Sequence, residues 1–233
     1  MRIVIQARMN SSRLPGKILA ELAGRPLLEY VVRRLQAVRD AADPPEVTVA
    51  TTTAADDDAT EAACRRLAVA CFRGSESDVL DRYLAATADL DDDGLVVRAT
   101  ADNPLYCPRR TARIVQRHRQ AQADYTCIAG LSYVVPEVMR AGALRRMAPL
   151  ARAQDCREHV TPYFREPGVD FRVIQLPQTW QGLRPNIRLS VDTPTDLVRM
   201  RSICESLASA EPLVALDEVY RWCGHEHSEQ TAR

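Results

Sequence analysis

The amino-acid sequence predicts an α/β fold in which helices cover a parallel sheet. Short apolar runs typical of buried strands alternate with stretches in which apolar residues recur at helical spacing. This alternation is typical of parallel sheets, because each crossover between parallel strands needs a long connection, usually a helix. With 233 residues, of which 46% are hydrophobic, the chain can bury one substantial core. We therefore expect one domain over residues 1–225 and a polar tail over 226–233.

The first half of the chain contains four apolar runs that are predicted strands, at residues 3–5, 47–50, 69–72 and 95–97. A helix is predicted to start with Pro26 as its first residue, because apolar residues then recur at spacings of three and four from Leu27 to Val38. A second helix is expected over 56–68. Ser75 is expected to cap a third, since its side-chain oxygen can accept from the first free N–H groups of a helix.

The second half of the chain loses this regular alternation. A helix is predicted from Pro108 to about Gln122, and strands are predicted around Gly130 within 124–135. The last predicted elements are strands at 171–174 and 187–191 and helices that begin at Thr195 and Leu213. Ligands of open α/β sheets bind beyond the carboxyl ends of the strands. We therefore expect a site where the strands near residues 5, 50, 72, 97 and 191 end.

Composition and charge argue against several classes of partner. The formal net charge is zero, whereas nucleic-acid backbones and anionic membranes favour a large basic excess. The seven cysteines include no Cys-x-x-Cys pair, which indicates reduced thiols. No apolar run approaches the roughly 18 residues of a membrane span, and the chain begins with a predicted strand instead of a signal sequence. We expect a cytoplasmic protein with no nucleic-acid or membrane partner.

The loop after the first predicted strand holds the only lysine of the chain, and it reads Arg8-Met9-Asn10-Ser11-Ser12-Arg13-Leu14-Pro15-Gly16-Lys17. A lysine ammonium is a compact point charge that can sit against one phosphate oxygen, whereas a guanidinium is a planar fork. The loop matches neither the Walker P-loop nor the Gly-x-Gly-x-x-Gly dinucleotide motif. We interpret it as a nucleotide-phosphate loop, the alternative being a solvated basic loop with a chance lysine.

Two aspartates stand shortly after predicted strands. Asp102 follows the strand at 95–97, and Asp192 follows the strand at 187–191. Two carboxylates opposite a basic loop suit a magnesium-bound nucleotide, because the hard cation prefers oxygen ligands and the phosphates need cations. Asp192 also begins the helix-capping pattern Asp-Thr-Pro-Thr-Asp, so capping and metal binding both stay open for it.

Six motifs in chain order resemble one enzyme family. They are 8–17 (Arg-x-x-Ser-x-Arg-Leu-Pro-Gly-Lys), 72–75 (Phe-Arg-Gly-Ser), 78–82 (Asp-Val-Leu-Asp-Arg), 102–105 (Asp-x-Pro-Leu), 157–163 (Arg-Glu-His-Val-Thr-Pro-Tyr) and 191–194 (Val-Asp-Thr-Pro). With these motifs the chain resembles the cytidylyltransferases. The nearest are the spore-coat-polysaccharide cytidylyltransferase-like proteins, and the CMP-KDO and CMP-acylneuraminate synthetases are more distant. The resemblance implies a Rossmann-like nucleotidyltransferase fold with a mixed, mostly parallel sheet and helices on both faces.

The resemblance also implies an activity, which is transfer of CMP from CTP to an acidic acceptor, with Mg²⁺ as cofactor and release of pyrophosphate. In-line attack on the α-phosphorus needs positioning and charge neutralisation more than covalent catalysis. The residues expected to bind CTP are Arg8, Ser12, Arg13, Lys17, Arg73 and Arg82. Those expected to bind the metal are Asp102 and Asp192, and the expected catalytic residues are Lys17, Arg13 and Asp102. For Arg73 and Arg82, contacts to the base, ribose or acceptor compete with a solvated surface position.

The acceptor is expected to be small and strongly anionic. The nearest relatives usually carry an acidic residue after a Gly-Leu pair in the middle of the chain, whereas Ser132 stands there in this sequence. The loss of a group that could accept from sugar hydroxyls favours an anionic acceptor over a polyhydroxylated one, as do four arginines kept in the same half, Arg110, Arg157, Arg184 and Arg188. A phosphonate such as phosphonoformate fits, and a nonulosonic or octulosonic sugar acid is the alternative.

Residues about 124–187 are the expected acceptor-binding and dimerisation part, and the resemblance implies a homodimer. Arg157, His159 and Arg188 are the expected acceptor contacts. For His159, a proton-shuttle role and a purely structural role also stay open.

Two other classes of function remain as alternatives. A glycosyltransferase should carry Asp-x-Asp after a strand, whereas the run 91–93 precedes one. A non-catalytic nucleotide-binding protein is the second alternative, and the joint presence of Lys17, Arg13, Asp102 and Asp192 argues against it.

Overall fold

The computed structural model of the protein describes residues 1–40, 42–207 and 214–231, with side chains up to residue 224. The strands are β1 (Arg2–Gln6), β2 (Glu21–Leu22), β3 (Arg25–Pro26), β4 (Glu46–Thr52), β5 (Ala70–Gly74), β6 (Leu95–Thr100), β7 (Tyr125–Ile128), β8 (Glu137–Arg140) and β9 (Val173–Leu176). The α-helices are α1 (Leu27–Gln36), α2 (Asp58–Arg66), α3 (Val79–Ala86), α4 (Pro108–Ala121), α5 (Ala141–Met147), α6 (Gln154–His159), α7 (Pro194–Ser206) and α8 (Leu216–Thr231). In the described ranges, none of the helices combines the length and apolar character that a bilayer crossing requires.

One mixed sheet of seven strands forms the centre of the fold, in the order β5-β4-β1-β6-β8-β7-β9. The strands β5, β4, β1 and β6 run parallel, so that Ile5 of β1 is level with Val49 of β4 and with Ala99 of β6. β8 is antiparallel to both of its neighbours, and β7 is parallel to β9. The predicted α/β fold with a mixed, mostly parallel sheet is therefore confirmed.

Helices cover both faces of the sheet, as predicted. Within β1, Ile3 and Ile5 belong to one buried apolar cluster and Val4 belongs to the other, because successive side chains of a strand point to opposite faces. The first cluster takes helical residues from α1, α2, α4, α7 and α8, whereas the second takes them from α3, α5 and α6. Burial on both faces explains why the parallel strands read as continuous apolar runs.

The carboxyl ends of the parallel strands meet at one edge of the sheet. Just beyond β1, Ala7 N donates to the carbonyl oxygen of Ala50 at 3.1 Å. Beyond β6, Ala101 N donates to the carbonyl oxygen of Gln6 at 2.8 Å. The loops that follow β1 and β6 are therefore held side by side, which is where the sequence places its polar motifs.

The predicted strand at 187–191 is wrong. Among the described residues this segment pairs with no strand of the sheet. Ile187, Leu189 and Val191 are buried in the first cluster, while the side chains between them point away from it. The alternating pattern that predicted a strand arises from this one-sided burial. A strand also needs a neighbouring strand to hydrogen-bond with, and the described residues provide none for this segment. A sequence pattern cannot show whether such a neighbour is present.

Other predicted boundaries shift by a few residues. Pro26 precedes α1 as its cap and is not its first residue. The cap of α3 is Asp78, whose carboxylate accepts from Asp81 N at 2.9 Å, whereas Ser75 accepts from Asp78 N at 3.2 Å. Both oxygens lie close to the helix start, and the aspartate is the one in the capping position.

The region after residue 124 also differs in detail from the prediction. It contributes one strand, β7, before residue 135, and the partner strand β8 begins only at Glu137. The predicted start of the last helix at Leu213 lies outside the described residues, and α8 is described from Leu216 onward. The backbone of the predicted tail is helical through Thr231.

Gly142 on α5 packs directly against the turn before β6. A Cβ added to Gly142 would lie 2.8 Å from the Cβ and 3.0 Å from the carbonyl oxygen of Asp92. Because backbone atoms form part of this contact, rotation of a side chain cannot relieve it. We expect Gly142→Ala to lower the free energy of unfolding by about 1–3 kcal/mol, measured by urea denaturation.

Gly224→Ala is the matched control for this substitution. Gly224 lies within α8, and no atom of the described residues comes within 4 Å of a Cβ added there. Alanine favours a helix, so we expect the control to raise the free energy of unfolding by about 0.5–1 kcal/mol. A Gly142→Ala variant as stable as the unchanged protein would contradict the close packing of α5.

Candidate active site

The loop from Arg8 to Lys17 is folded back on the carboxyl end of β1. Gly16 N donates to the carbonyl oxygen of Met9 at 2.8 Å, and Met9 N donates to the Asp57 carboxylate at 2.8 Å. Gly16 has a φ of +73°, a conformation that other residues adopt only with strain. Lys17 follows as the first residue of a short 3-10 helix, Lys17–Leu19. The glycine turn therefore sets where the lysine side chain starts.

Lys17 is buried among three oxygen atoms. Its Nζ lies 2.8 Å from Oδ2 of Asp102, 2.8 Å from the carbonyl oxygen of Val191 and 3.3 Å from Oδ1 of Asp192. An ammonium has three donors, so each N–H can meet one of these oxygens. The lysine and the two aspartates that the sequence singled out therefore meet, and Lys17 is the counter-ion of both carboxylates.

Asp192 is surrounded by cations. Arg13 Nη2 donates to its Oδ1 at 2.7 Å, while Arg188 Nη2 at 2.5 Å and the Ser190 hydroxyl at 3.1 Å donate to its Oδ2. Burial alone would raise the pKa of Asp192, but the charge of Lys17 and the two arginines hold that pKa below its ordinary value. The carboxylate is therefore ionised at neutral pH.

The capping role that the sequence left open for Asp192 falls to its neighbour. Thr193 is the N-cap of α7, where its hydroxyl accepts from Asp196 N at 3.3 Å and its own N–H donates to the Asp196 carboxylate at 2.8 Å. This reciprocal capping box satisfies the start of the helix. The Asp192 carboxylate is left facing Lys17.

Asp102 is held by the loop after β6. The hydroxyl of Thr100 donates to Asp102 Oδ1 at 2.6 Å, and Asn103 Nδ2 donates to the same hydroxyl at 2.6 Å. Val191 N donates to the carbonyl oxygen of Asp102 at 2.9 Å, which ties the segment before α7 to this loop. The second carboxylate oxygen of Asp102 is thereby turned toward Lys17.

The oxygens around Lys17 fit a magnesium ion by their chemistry. Two carboxylates and one backbone carbonyl are hard oxygen donors of the kind that Mg²⁺ prefers. In the part of the chain that the structure describes, no group of three or more His, Cys, Asp or Glu side chains is arranged to hold a metal ion. Two carboxylates suffice for Mg²⁺ when substrate phosphates and waters supply the other ligands.

Two cavities share Thr100, Asp102 and Asp192 in their walls. The first, of about 290 Å³, is called the loop cavity here because residues of the 8–17 loop line it, together with Arg98, Glu158 and His159. The second, of about 410 Å³, is called the Tyr133 cavity. Its lining contains Asn103, Gly130, Ser132, Tyr133, Pro185, Arg188 and Ser190 in addition to the shared residues. The two aspartates are therefore common to both spaces.

The predicted CTP residues do not all reach the loop cavity. Arg8, Ser12, Arg13 and Lys17 line it. Arg73 does not. Its guanidinium is taken up by four groups on neighbouring segments, the carboxylates of Asp58 and Glu61 and the carbonyl oxygens of Thr52 and Ala54. A CTP contact by Arg73 stays a prediction, and it would need these bonds to open.

Arg82 is fully buried, and none of its three side-chain nitrogens has a hydrogen-bond partner among the described residues. Burial lowers the pKa of Arg82, and among the described residues no carboxylate pairs with its guanidinium. Arg82 lines neither cavity. A Cβ added to Gly74 would lie 3.1 Å from Cγ of Arg82, so the glycine leaves room for this arginine. Its predicted nucleotide contact stays a prediction.

The predicted acceptor residues are separated by the structure. Arg188 lines the Tyr133 cavity, and His159 lines the loop cavity. Arg157 lines neither and donates from Nε to the Asp78 carboxylate at 2.7 Å. Two further arginines of the same half also lie elsewhere, since Arg110 binds Asp217 and Arg184 stacks on the ring of Tyr220. Of these four arginines, only Arg188 brings positive charge to the Tyr133 cavity.

Sequence reasoning missed several residues that the structure brings to the site. Thr100 and Ser190 orient the two aspartates, and Arg98 lines the loop cavity. A charged residue inside an apolar strand, as Arg98 is within β6, is the one signal that could have identified it. The run 91–93 lies before β6, at the other end of the strand, where Asp92 and Asp93 bind Arg145 and Arg140.

Removal of the Lys17 charge should destabilise the fold. In Lys17→Met, two carboxylates lose their shared counter-ion, so we expect the free energy of unfolding to fall by on the order of 2 kcal/mol in urea at neutral pH. Asp102→Asn added to that variant should recover part of the loss, because it removes one of two like charges.

Arg8→Met is the control for this cycle. It removes one positive charge from the same cavity, but Arg8 pairs only with the half-exposed Glu158, at 3.3 Å, among the described residues. We expect its effect to stay within about 0.5 kcal/mol. A Lys17→Met variant as stable as the unchanged protein would show that the ammonium is not the counter-ion of the pair.

Comparisons with known proteins identify the family of the chain. Residues 2–221 match the model of the cytidylyltransferase family. The spore coat polysaccharide biosynthesis protein SpsF of Bacillus subtilis is 32% identical over 93% of this chain and 90% of its own. A 3-deoxy-manno-octulosonate cytidylyltransferase of Halorhodospira halophila is 32% identical over 71% of this chain and 61% of its own. A cytidylyltransferase structure from Leptospira borgpetersenii superposes with a TM-score of 0.84 at 26% identity, covering 97% of this chain and 94% of that one. With the family model spanning nearly the whole chain, this protein belongs to the cytidylyltransferase family of enzymes.

Proposed function

We propose that this protein transfers CMP from CTP to a small anionic acceptor, with Mg²⁺ as cofactor and pyrophosphate as the second product. The observation that carries the proposal is the position of Lys17, which lines the loop cavity and whose ammonium lies against Asp102 and Asp192, the two carboxylates that line both cavities. A cation-binding cluster between two spaces is what a reaction between two anionic substrates needs.

The loop cavity is the proposed place of the CTP phosphates. Arg8, Ser12, Arg13 and Lys17 line it from one loop, so three cations and a hydroxyl face the same space. Arg13 is largely exposed and bends to Asp192, so its guanidinium can turn to an incoming phosphate without loss of packing. These residues bind and orient the triphosphate, and they neutralise charge on the departing pyrophosphate.

Lys17 must change partners to reach a phosphate. Its three N–H groups are matched by three protein oxygens, so none is left for a ligand in this conformation. Asp102 and Asp192 would hold Mg²⁺, which when bound neutralises the phosphates and favours attack at the α-phosphorus. We infer that the ammonium keeps the two carboxylates close together until nucleotide and metal arrive.

The Tyr133 cavity is the proposed place of the acceptor. Arg188 reaches it with an Nη1 that has no partner among the described residues, since its Nε binds Ser190 and its Nη2 binds Asp192. Apart from the two shared aspartates, which are already paired with cations, the lining carries no carboxylate from the described part of the chain. The cavity therefore offers a small anion the positively charged guanidinium of Arg188 and several neutral polar groups.

The lining of the Tyr133 cavity favours a phosphonate over a sugar acid. In the reaction, an acceptor oxygen forms a bond to the α-phosphorus while the bond to the α,β-bridging oxygen breaks, and pyrophosphate leaves with the electron pair. A sugar hydroxyl must lose a proton in this step, whereas a phosphonate oxygen is already anionic. Among the described residues no histidine lines the cavity, and burial raises the pKa of Tyr133, whose hydroxyl donates to the Ile187 carbonyl. A cavity without a free base suits an acceptor such as phosphonoformate.

A sugar acid is the second candidate acceptor, because the name of one relative contains 3-deoxy-manno-octulosonate. His159 could then serve as the base only across the shared wall, since it lines the loop cavity. A homodimer stays a prediction from the family resemblance, and a cytoplasmic location stays a prediction from the sequence composition.

Release of pyrophosphate tests the proposal. We expect release from CTP, well above that from UTP, GTP or ATP, in the presence of Mg²⁺ and phosphonoformate. The acceptor panel should include other small phosphonates, KDO and sialic acids. Lys17→Ala should lower turnover by about 100-fold or more, because it removes a charge that acts on the departing phosphates.

The outcomes of this assay separate the parts of the proposal. Release with KDO or a sialic acid but with no phosphonate would replace the acceptor and keep the transferase. Equal release from all four nucleotides would contradict the choice of CTP. CTP binding by calorimetry without release for any acceptor of the panel would contradict the proposed acceptor class.

A further inference from the structure

Arg98 is a charged residue in the middle of a buried strand. It lies on β6, level with Val4 of β1 and with Glu137 of β8, and it is 9% exposed. Its side chain is on the same face of the sheet as that of Thr100, two residues further along, because alternate residues of a strand share a face. Both residues line the loop cavity.

The guanidinium of Arg98 is fixed by an ion pair across the sheet. Its Nη1 donates to Oε2 of Glu137 at 2.9 Å. That carboxylate is itself buried, and it also accepts from the Tyr125 hydroxyl at 2.7 Å and from the Thr161 hydroxyl at 3.0 Å. Three donors on one carboxylate hold Glu137 in place, and Glu137 in turn sets the direction of Arg98.

Stability alone does not explain this pair. Desolvation of two charges costs about as much as their attraction returns, and apolar residues of similar volume are often equally stable in such places. The neighbours of Arg98 along β6 are apolar, so an aliphatic side chain would continue the strand. The Arg98 charge therefore has a role other than stability, and the cavity beside it indicates a role in binding.

Arg98 also retains unused donors beside the cavity. Of its five N–H groups, only one on Nη1 takes part in a hydrogen bond within the described residues. Nε is buried without a partner, and Nη2 has none either. Close by in the lining, Gln6 has a buried side-chain oxygen that is likewise unpartnered. Arg98 thus lines the loop cavity while it keeps N–H donors, Nη2 among them, that no part of the described chain satisfies.

We propose that Arg98 is a substrate-binding residue of the loop cavity, aimed by Glu137, whose guanidinium donates to an oxygen atom of a bound substrate. The inference rests on the proposed function, because it takes the loop cavity as a substrate site. The proposed function places the CTP phosphates in this cavity, so the oxygen belongs to CTP unless the acceptor extends past the shared aspartates from the Tyr133 cavity, and both substrates supply oxygens that attract a cation. Glu137 is a positioning residue, since it acts through Arg98.

Separate binding measurements for the two substrates test this inference. Arg98→Met alone would leave Glu137 buried and unpaired and could fail to fold, so the test variant is Arg98→Met with Glu137→Gln. The single variant Glu137→Gln keeps the guanidinium. Dissociation constants are measured by calorimetry for CTP with Mg²⁺, and the KM is measured for phosphonoformate, after thermal melting has shown which variants fold.

A second arginine–carboxylate pair, with a buried arginine and an exposed carboxylate, serves as control. Arg110 is also buried and binds a carboxylate, that of Asp217 at 2.9 Å, but it lines neither cavity. Arg110→Met with Asp217→Asn makes the same chemical change away from the site. We expect this control to bind both substrates as the unchanged protein does.

The expected result is a rise of about tenfold or more in one of the two constants for the double variant, as the loss of a charged hydrogen bond predicts. Glu137→Gln alone should give a smaller rise. A change in the CTP constant assigns the oxygen to the nucleotide, and a change confined to the phosphonoformate KM assigns it to the acceptor.

Two results would overturn the inference. If the double variant folds and both constants equal those of the control, Arg98 binds no substrate, while the proposed function stands. If the unchanged protein neither binds CTP nor releases pyrophosphate, the proposed function fails, and the inference fails with it.

Discussion

One ammonium group joins three segments of this protein that are far apart in the chain. Lys17 belongs to the loop after β1, Asp102 to the loop after β6, and Val191 and Asp192 to the irregular segment before α7. A buried lysine needs such partners, because an isolated charge in this position would be very costly. The same contacts place both carboxylates in the wall between the two cavities. The site therefore depends on an ion cluster that also holds the surrounding loops together.

The sheet makes this meeting possible. β1 and β6 are adjacent and parallel, with Gln6 level with Thr100, so the loops that follow them begin side by side. The left-handed turn at Gly16 returns the first loop toward the sheet edge. The capping box at Thr193 starts α7 without using the Asp192 carboxylate, which stays available to Lys17. Local backbone preferences and strand register thus bring Lys17 and the two aspartates together, although they are far apart in the chain.

Much of this could be predicted from the sequence, and the failures have physical causes. The βα alternation predicts the parallel half of the sheet, and the isolated lysine after β1 indicates the cluster. The segment 187–191 shows the limit, because one-sided burial of Ile187, Leu189 and Val191 gives the same alternating pattern as a paired strand. The sequence also does not show which carboxylate each arginine binds. Nothing in the sequence shows that Arg157 binds Asp78 or that Arg73 is taken up by four local groups, whereas Arg188 keeps a donor for the Tyr133 cavity.

Lys17 occupies the carboxylate oxygens that would receive the metal. Binding of Mn²⁺ as a spectroscopic substitute for Mg²⁺, followed by electron paramagnetic resonance with and without CTP, tests it directly. In the unchanged protein, Mn²⁺ should bind weakly alone and about tenfold or more tightly with CTP, since CTP supplies phosphate ligands and draws the ammonium away. Lys17→Met should bind Mn²⁺ more tightly than the unchanged protein when no CTP is present, and Arg8→Met should not. Equal Mn²⁺ binding by Lys17→Met and the unchanged protein without nucleotide would show that the ammonium does not compete with the metal for these carboxylates.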